Sequence, residues 1–171
     1  DWVKEQLDSC TFKIPEKFIV FTPGAIYGPS KQWPAEHFRE LGKLLHKAFG
    51  HNILLLGTID DIETGAKIAH DHDWIYDYCG KTSLSQLLAI LTKAQLLVGN
   101  DSGSMHLMSA LQRPQIAVFG STSPTWTGPI NSNATVMSRN LSCSPCFSRT
   151  CRFGHYECLT LINPENVFAE V

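Results

Sequence analysis

Apolar positions in this chain follow two rhythms that alternate from about residue 18 to residue 140. Short β-rich runs at Phe18 to Phe21, Ile53 to Leu56, Trp74 to Tyr78, Leu96 to Gly99, Ile116 to Phe119 and Thr135 to Ser138 are nearly continuous in apolar, aromatic or β-branched residues. Runs of that kind belong to strands covered on both faces. Between them the spacing becomes helical. One helix is predicted with Pro34 at its first position, a stripe of Phe38, Leu41, Leu45 and Ala48, and Gly50 just past its end. Asp60 with Glu63, and Ser83 with Gln86, have capping-box spacing, so a helix is predicted to begin at each; the second presents Leu84, Leu87, Leu88 and Leu91 on one face. A further helix starts around Asp101 to Ser104, runs through Leu107, Met108 and Leu111, and ends before Pro114.

Strands alternating with helices predict an α/β fold, a Rossmann-like doubly wound parallel sheet of about six strands. No repeat, low-complexity tract or linker interrupts residues 18 to 140, so residues 1–171 read as a single domain, with a Cys-rich tail segment at 141–160. Pro164 to Val171 resembles a helix that stops in mid-course. With no initiating Met, the chain reads as a piece of a longer protein.

A length of 171 residues with 43% hydrophobic and 18% charged positions is enough for one packed core. The formal charge is −2, with no basic block to neutralise a row of phosphates, which argues against a nucleic-acid partner. No apolar run approaches the roughly 20 residues of a bilayer span, so no transmembrane segment is expected. The opening residues lack the features of a secretory signal, and a cytoplasmic location follows as the expectation. Without secretion, the glycosylation patterns at Asn133-Ala-Thr135 and Asn140-Leu-Ser142 carry no weight.

In open α/β sheets, ligands collect beyond the carboxyl ends of the strands. No G-x-G-x-x-G occurs there, and Gly80-Lys81-Thr82 lacks the earlier Gly of a Walker loop, Ile75 standing in its place. Two other loops are candidates. The first follows the first strand and carries Gly24, Tyr27, Gly28 and Lys31; glycines admit a ligand close to the backbone, and a lysine places a cation against phosphate. The bland alternative is a surface lysine in a turn. The second loop is Val98-Gly-Asn-Asp-Ser-Gly-Ser-Met-His106. Ser102 and Gly103 would expose the free N–H groups of a helix start, which attract anions. Asp101 is either the N-cap or, repelled by phosphate, a partner for sugar hydroxyls. His106 reads as a ligand or a core contact, and Glu63 as a cap or an acceptor for ribose.

Taken in order, Pro23-Gly24-Ala25, Gly28-Pro29-x-Lys31-x-Trp33-Pro34, Leu56-Gly57-Thr58 followed by Asp61-x-Glu63, Gly80-Lys81-Thr82-Ser83-Leu84, Asn100-Asp101-Ser102-Gly103-x-x-His106 and Phe119-Gly120-x-x-x-Pro124 resemble the bacterial ADP-heptose:lipopolysaccharide heptosyltransferases, glycosyltransferase family 9, with the pattern of its heptosyltransferase II branch. The resemblance runs from about Phe18 to the C-terminus. It implies the C-terminal, donor-binding half of a GT-B glycosyltransferase, whose N-terminal acceptor domain is absent from this chain. By the same resemblance, ADP-heptose is the donor and no cofactor is required. Lys31 holds the diphosphate, Asp101 the heptose, and the amides of Ser102 and Gly103 the phosphates. Gly24, Tyr27 and His106 lie beside them, and Glu63 meets the ribose. Lys31 and Asp101 would activate the donor. Transfer inverts the anomeric carbon, and the general base and the lipid A-core acceptor site belong to the missing domain, at the inner face of the inner membrane. An isolated donor half should not turn over.

Four of the six cysteines fall in Cys143-x2-Cys146-x4-Cys151-x6-Cys158. Such a set can ligate metal, pair as disulfides or stay reduced, and the spacing leaves all three open. Cys10 and Cys79 read as packing residues. Two other functions fit the pattern less fully: another nucleotide-sugar-binding α/β enzyme, such as an epimerase, and a Cys-ligated metal module for interaction.

Overall fold

The structure, a computed structural model, describes residues 1–171. Six strands, β1 (Phe18–Thr22), β2 (Asn52–Leu55), β3 (Ile75–Asp77), β4 (Leu97–Asn100), β5 (Gln115–Phe119) and β6 (Ala134–Ser138), form one sheet in the order β3-β2-β1-β4-β5-β6. Every pairing is parallel. The chain winds outward from β1 to β3, then returns to lay β4 against the other side of β1. That reversal opens a crevice between the carboxyl ends of β1 and β4, where doubly wound sheets bind ligands.

Alternate residues of each central strand feed opposite cores, as the two-residue period requires. Ile19, Phe21, Ile53 and Leu55 join Phe38, Leu41 and Leu45 on one face. Phe18, Val20, Leu54 and Leu56 join Ile90, Leu91 and Met108 on the other. All five residues of β1 and of β5 are buried, which explains their unbroken apolar run.

The helices match the predicted pattern with informative shifts. In addition to the predicted helices, a short helix α1 (Trp2–Asp8) packs on α4 (Leu84–Lys93). Helix α2 (Ala35–Phe49) has Pro34 at its N-cap, one residue before the predicted place, and Gly50 closes it with φ 67°, in the left-handed region. Ala48, predicted in its apolar stripe, is exposed. Helix α3 (Ile62–Ala69) does not start from an Asp60–Glu63 box. A short 3₁₀ turn, Ile59–Asp61, precedes it, and the reciprocal cap is Thr58 with Asp61, whose Oδ2 accepts from Thr58 N at 2.7 Å. The Ser83–Gln86 box of α4 forms as predicted, with Ser83 N donating to Gln86 Oε1 at 2.9 Å and Gln86 N donating to Ser83 Oγ at 3.2 Å. Its buried residues are Ala89, Ile90 and Leu91, whereas Leu84 is exposed. Helix α5 (Gly103–Ala110) starts from Ser102 as N-cap, so Asp101 is released from capping.

Beyond β5 come α6 (Pro124–Thr127), β6, and two short helices, α7 (Glu157–Thr160) and α8 (Pro164–Phe168). The last helix ends at Phe168 rather than running on to Val171. Leu159, Ile162 and Val167 enter the α2-side core, and Trp33 Nε1 donates to Ile162 O at 2.8 Å across it. The segment following the Cys-rich stretch is thus part of the domain body. No helix is long and apolar enough to cross a membrane.

Candidate functional site

Loops leaving β1, β2, β3 and β4 enclose a cavity of about 760 Å³ at the carboxyl edge of the sheet. That is within the size range of small-molecule sites. Its polar end lies at the β1/β4 crevice and is lined by Lys31, Asp101, Ser102 and Gly103; its apolar end, beyond β2 and β3, is lined by Leu56, Ile59, Leu84 and Leu87.

Lys31 reaches the crevice through the 3₁₀ turn Pro29–Lys31. Its Nζ lies 2.7 Å from Asp101 Oδ2, with both side chains almost wholly buried, and 4.7 Å above the Tyr27 ring. The same Oδ2 accepts from Thr122 Oγ1 at 2.6 Å and Thr127 Oγ1 at 3.1 Å. Three donors on one oxygen fix the carboxylate's direction. Asn100, fully buried at the end of β4, ties the two strands' loops together: its Oδ1 accepts from Trp33 N at 3.0 Å and its Nδ2 donates to Pro23 O at 2.8 Å.

Helix α5 opens directly into the cavity. Its first amides have no intrahelical acceptors and carry the positive end of the helix dipole. Ser102 Oγ is buried there without a partner, and the space where a Cβ on Gly103 would stand is open. Asp61 lines the cavity from the β2 side. A Cβ on Gly57 would stand 2.7 Å from its Oδ2, and one on Gly24 would overlap its carboxylate. Both glycines are therefore needed to seat Asp61.

Of the residues singled out from sequence, Gly24, Tyr27, Lys31, Asp101, Ser102 and Gly103 meet at this cavity. Glu63 and His106 do not. Glu63 stands exposed on α3, paired with Lys67 at 2.7 Å, and that hydrogen bond and charge hold its carboxyl below the usual value. His106 is exposed on the outer side of α5. Sequence reasoning missed Asp61 as a cavity residue, although its spacing from Thr58 carries the cap signal. It also missed Thr122 and Thr127.

The tail backs the Lys31 loop from behind. The Tyr27 hydroxyl donates to Phe147 O and the Ser30 hydroxyl to Ser148 O. Ser30 N donates to Arg149 O at 3.2 Å. Gly28, at φ 144°, leaves no Cβ to strike that same carbonyl, which would lie 2.6 Å away.

Residues 2–157 match the family model of glycosyltransferase family 9 (heptosyltransferase). The chain belongs to that family. Family 9 relatives include lipopolysaccharide heptosyltransferase 2 of Salmonella typhimurium, 33% identical over 90% of this chain and 45% of the relative. Lipooligosaccharide heptosyltransferase 2 of Campylobacter jejuni is 30% identical over 91% of this chain and 51% of the relative. Among solved structures, Escherichia coli ADP-heptose lps heptosyltransferase II superposes with a TM-score of 0.84 at 30% identity, covering 99% of this chain and 49% of that one. Escherichia coli heptosyltransferase WaaC with ADP gives 0.72 at 28% identity, covering 96% and 46%. The chain spans about half the length of these family 9 proteins.

Proposed function

We propose that this chain is the donor-binding, C-terminal half of a GT-B heptosyltransferase of family 9, and that its cavity holds ADP-heptose. The observation that carries the reading is the meeting of the Lys31 ammonium and the opening amides of α5 at one cavity wall. Both attract a diphosphate. The nucleotide would run from there toward β2 and β3, its ribose against Asp61 and its adenine among Ile59, Leu84 and Leu87. Asp101, whose three recorded partners all converge on Oδ2, presents Oδ1 for a heptose hydroxyl. The structural match to a family 9 protein with ADP supports this choice of nucleotide.

When the sugar leaves ADP, negative charge grows on the departing diphosphate. Lys31 and the α5 amides are already aimed where it grows, so they stabilise the transition state without reorganising. Lys31, released from Asp101 as it turns to the diphosphate, would leave that carboxylate beside the developing positive charge of the sugar. These groups supply the required charge, so the proposed step needs no metal at the donor. The acceptor, the lipid A-core of lipopolysaccharide, and the base that takes its proton would be held by the N-terminal half, with inversion at the anomeric carbon, on the cytoplasmic side of the inner membrane.

Calorimetry on the 171-residue chain with ADP, UDP and NAD tests the reading. ADP should bind and UDP and NAD should not. A preference for UDP would transfer the site to another class of sugar nucleotide, and binding of none would remove the reading.

A further inference from the structure

The tail gathers a second group of reactive side chains that the donor site does not use. Cys143, Cys146 and Cys151 come from the irregular segment after β6 and Cys158 from the short helix α7, yet all four line one small cavity of about 20 Å³. None is in a disulfide. A space of that size excludes an organic ligand and has room for one water or one ion. The four sulfurs on its wall are soft ligands of the kind that select a metal ion.

Two further features of the wall point the same way. The chain from Cys151 to Tyr156 folds back on itself, with Gly154 at φ 74° and Tyr156 at φ 51°. This reversal brings Cys151, on its near side, and Cys158, just past its end, to the wall of one cavity. Arg152 lines the same cavity. Four thiolates around a divalent ion carry a net charge of −2, and its guanidinium lies where part of that charge would be offset.

We propose that Cys143, Cys146, Cys151 and Cys158 form a tetrathiolate site for a soft divalent cation, Zn²⁺ or Fe²⁺. The groups do not stand preassembled as a metal-ligand set. Ligation therefore involves side-chain rotation that brings each sulfur to about 2.3 Å from a common centre, the distance of a Zn–thiolate bond. Each S–H bond breaks as an S–metal bond forms, and the four protons pass to solvent. The ion would stitch together the segment that supplies the Phe147, Ser148 and Arg149 carbonyls behind Tyr27 and Ser30. Its role is to brace the Lys31 loop, independent of which nucleotide the cavity takes.

The test is metal analysis of the 171-residue chain, produced under reducing conditions without chelator and then incubated with Zn²⁺. About one equivalent of bound metal is expected, released as a mercurial reagent titrates the thiols. Co²⁺ in its place should give the intense charge-transfer absorption of thiolate ligation. Cys146→Ser should lose the metal and Cys10→Ser should keep it; if Cys146→Ser does not fold, the Co²⁺ spectrum and the release titration of the unaltered chain decide. Fewer than about half an equivalent of metal, undiminished metal in Cys146→Ser, a Co²⁺ spectrum without charge transfer, or two disulfides in the metal-free chain would each overturn the proposal.

Discussion

Lys31 Nζ and Asp101 Oδ2 stand 2.7 Å apart at the mouth of helix α5. The cation that faces the cavity is thus shared, before any ligand arrives, with a carboxylate that a diphosphate would repel. On the proposed reading an incoming diphosphate draws the ammonium away from this partner, so the strength of the pair would set part of the binding energy.

Removing the cation should weaken anion binding. Lys31→Ala is expected to lower ADP affinity roughly ten- to a hundredfold, the equivalent of about 1 to 3 kcal/mol for a charged hydrogen bond. Calorimetry reads this directly, and an unchanged affinity would take Lys31 out of the site.

Neutralising the partner should act in the opposite sense. Asp101→Asn keeps the shape of the side chain but frees Lys31 and removes a buried negative charge near the phosphates. ADP affinity should rise severalfold, by about 1 kcal/mol, while heptose transfer by a chain carrying both halves should fall. A drop in ADP affinity would show that Asp101 contributes to holding the nucleotide.

Gly24→Ala tests Asp61 through its neighbour. The added methyl overlaps the Asp61 carboxylate, so that side chain must leave its seat. Weaker ADP binding is expected, by about fivefold or more if one ribose hydrogen bond worth ~1 kcal/mol is lost, with the melting temperature lowered by a few degrees as the Thr58–Asp61 cap is broken. Full ADP affinity in this variant would separate Asp61 from the ligand.

Asn100→Ala should cost stability rather than charge. It leaves Trp33 N and Pro23 O without their buried partners, a loss of about 2 to 4 kcal/mol for two unsatisfied groups. Urea unfolding measures it; a loss below ~1 kcal/mol would mean that water replaces the amide.

The pH response has a definite sign at His72. Burial, with Arg39 and Lys43 nearby, holds its pKa below the ordinary value, its Nε2 is buried without a partner, and it stacks on Trp74 at 4.7 Å. The unfolded chain therefore binds a proton that the folded chain resists. The contribution is present above about pH 6.5, the ordinary histidine value, and is lost as pH falls through the lower folded value. Melting temperatures at pH 7 and pH 5 should fall less far apart in His72→Gln than in the unaltered chain. Identical slopes would dismiss the assignment.

Strands were legible because burial on both faces leaves an unbroken apolar run, and β1 and β5 show it most plainly. The Ser83–Gln86 cap was legible because its chemistry is local. Asp60, Asp61 and Glu63 crowd one turn, and spacing alone cannot tell which acid caps once a 3₁₀ turn shifts the helix start; the expected Asp60–Glu63 pair gives way to Thr58 with Asp61. Helix α1 buries no residue, so it leaves no strong stripe to read. The bonds from Thr122 and Thr127 to Asp101 join loops far apart in sequence, and no local pattern encodes them. That Lys31, Asp101, Ser102 and Gly103 would line one cavity was legible because a strand ending in a helix start is a local motif.

The carbonyls behind Tyr27 and Ser30 set a limit on how far this unit can be shortened. A version stopped at Leu141 would retain all six strands, but it would lose Leu159, which packs against Gly120, and the acceptors for both hydroxyls. The smallest piece able to keep its lysine pointed inward therefore extends well past the sheet, and any graft of this pocket onto another scaffold would have to carry the cysteine segment with it.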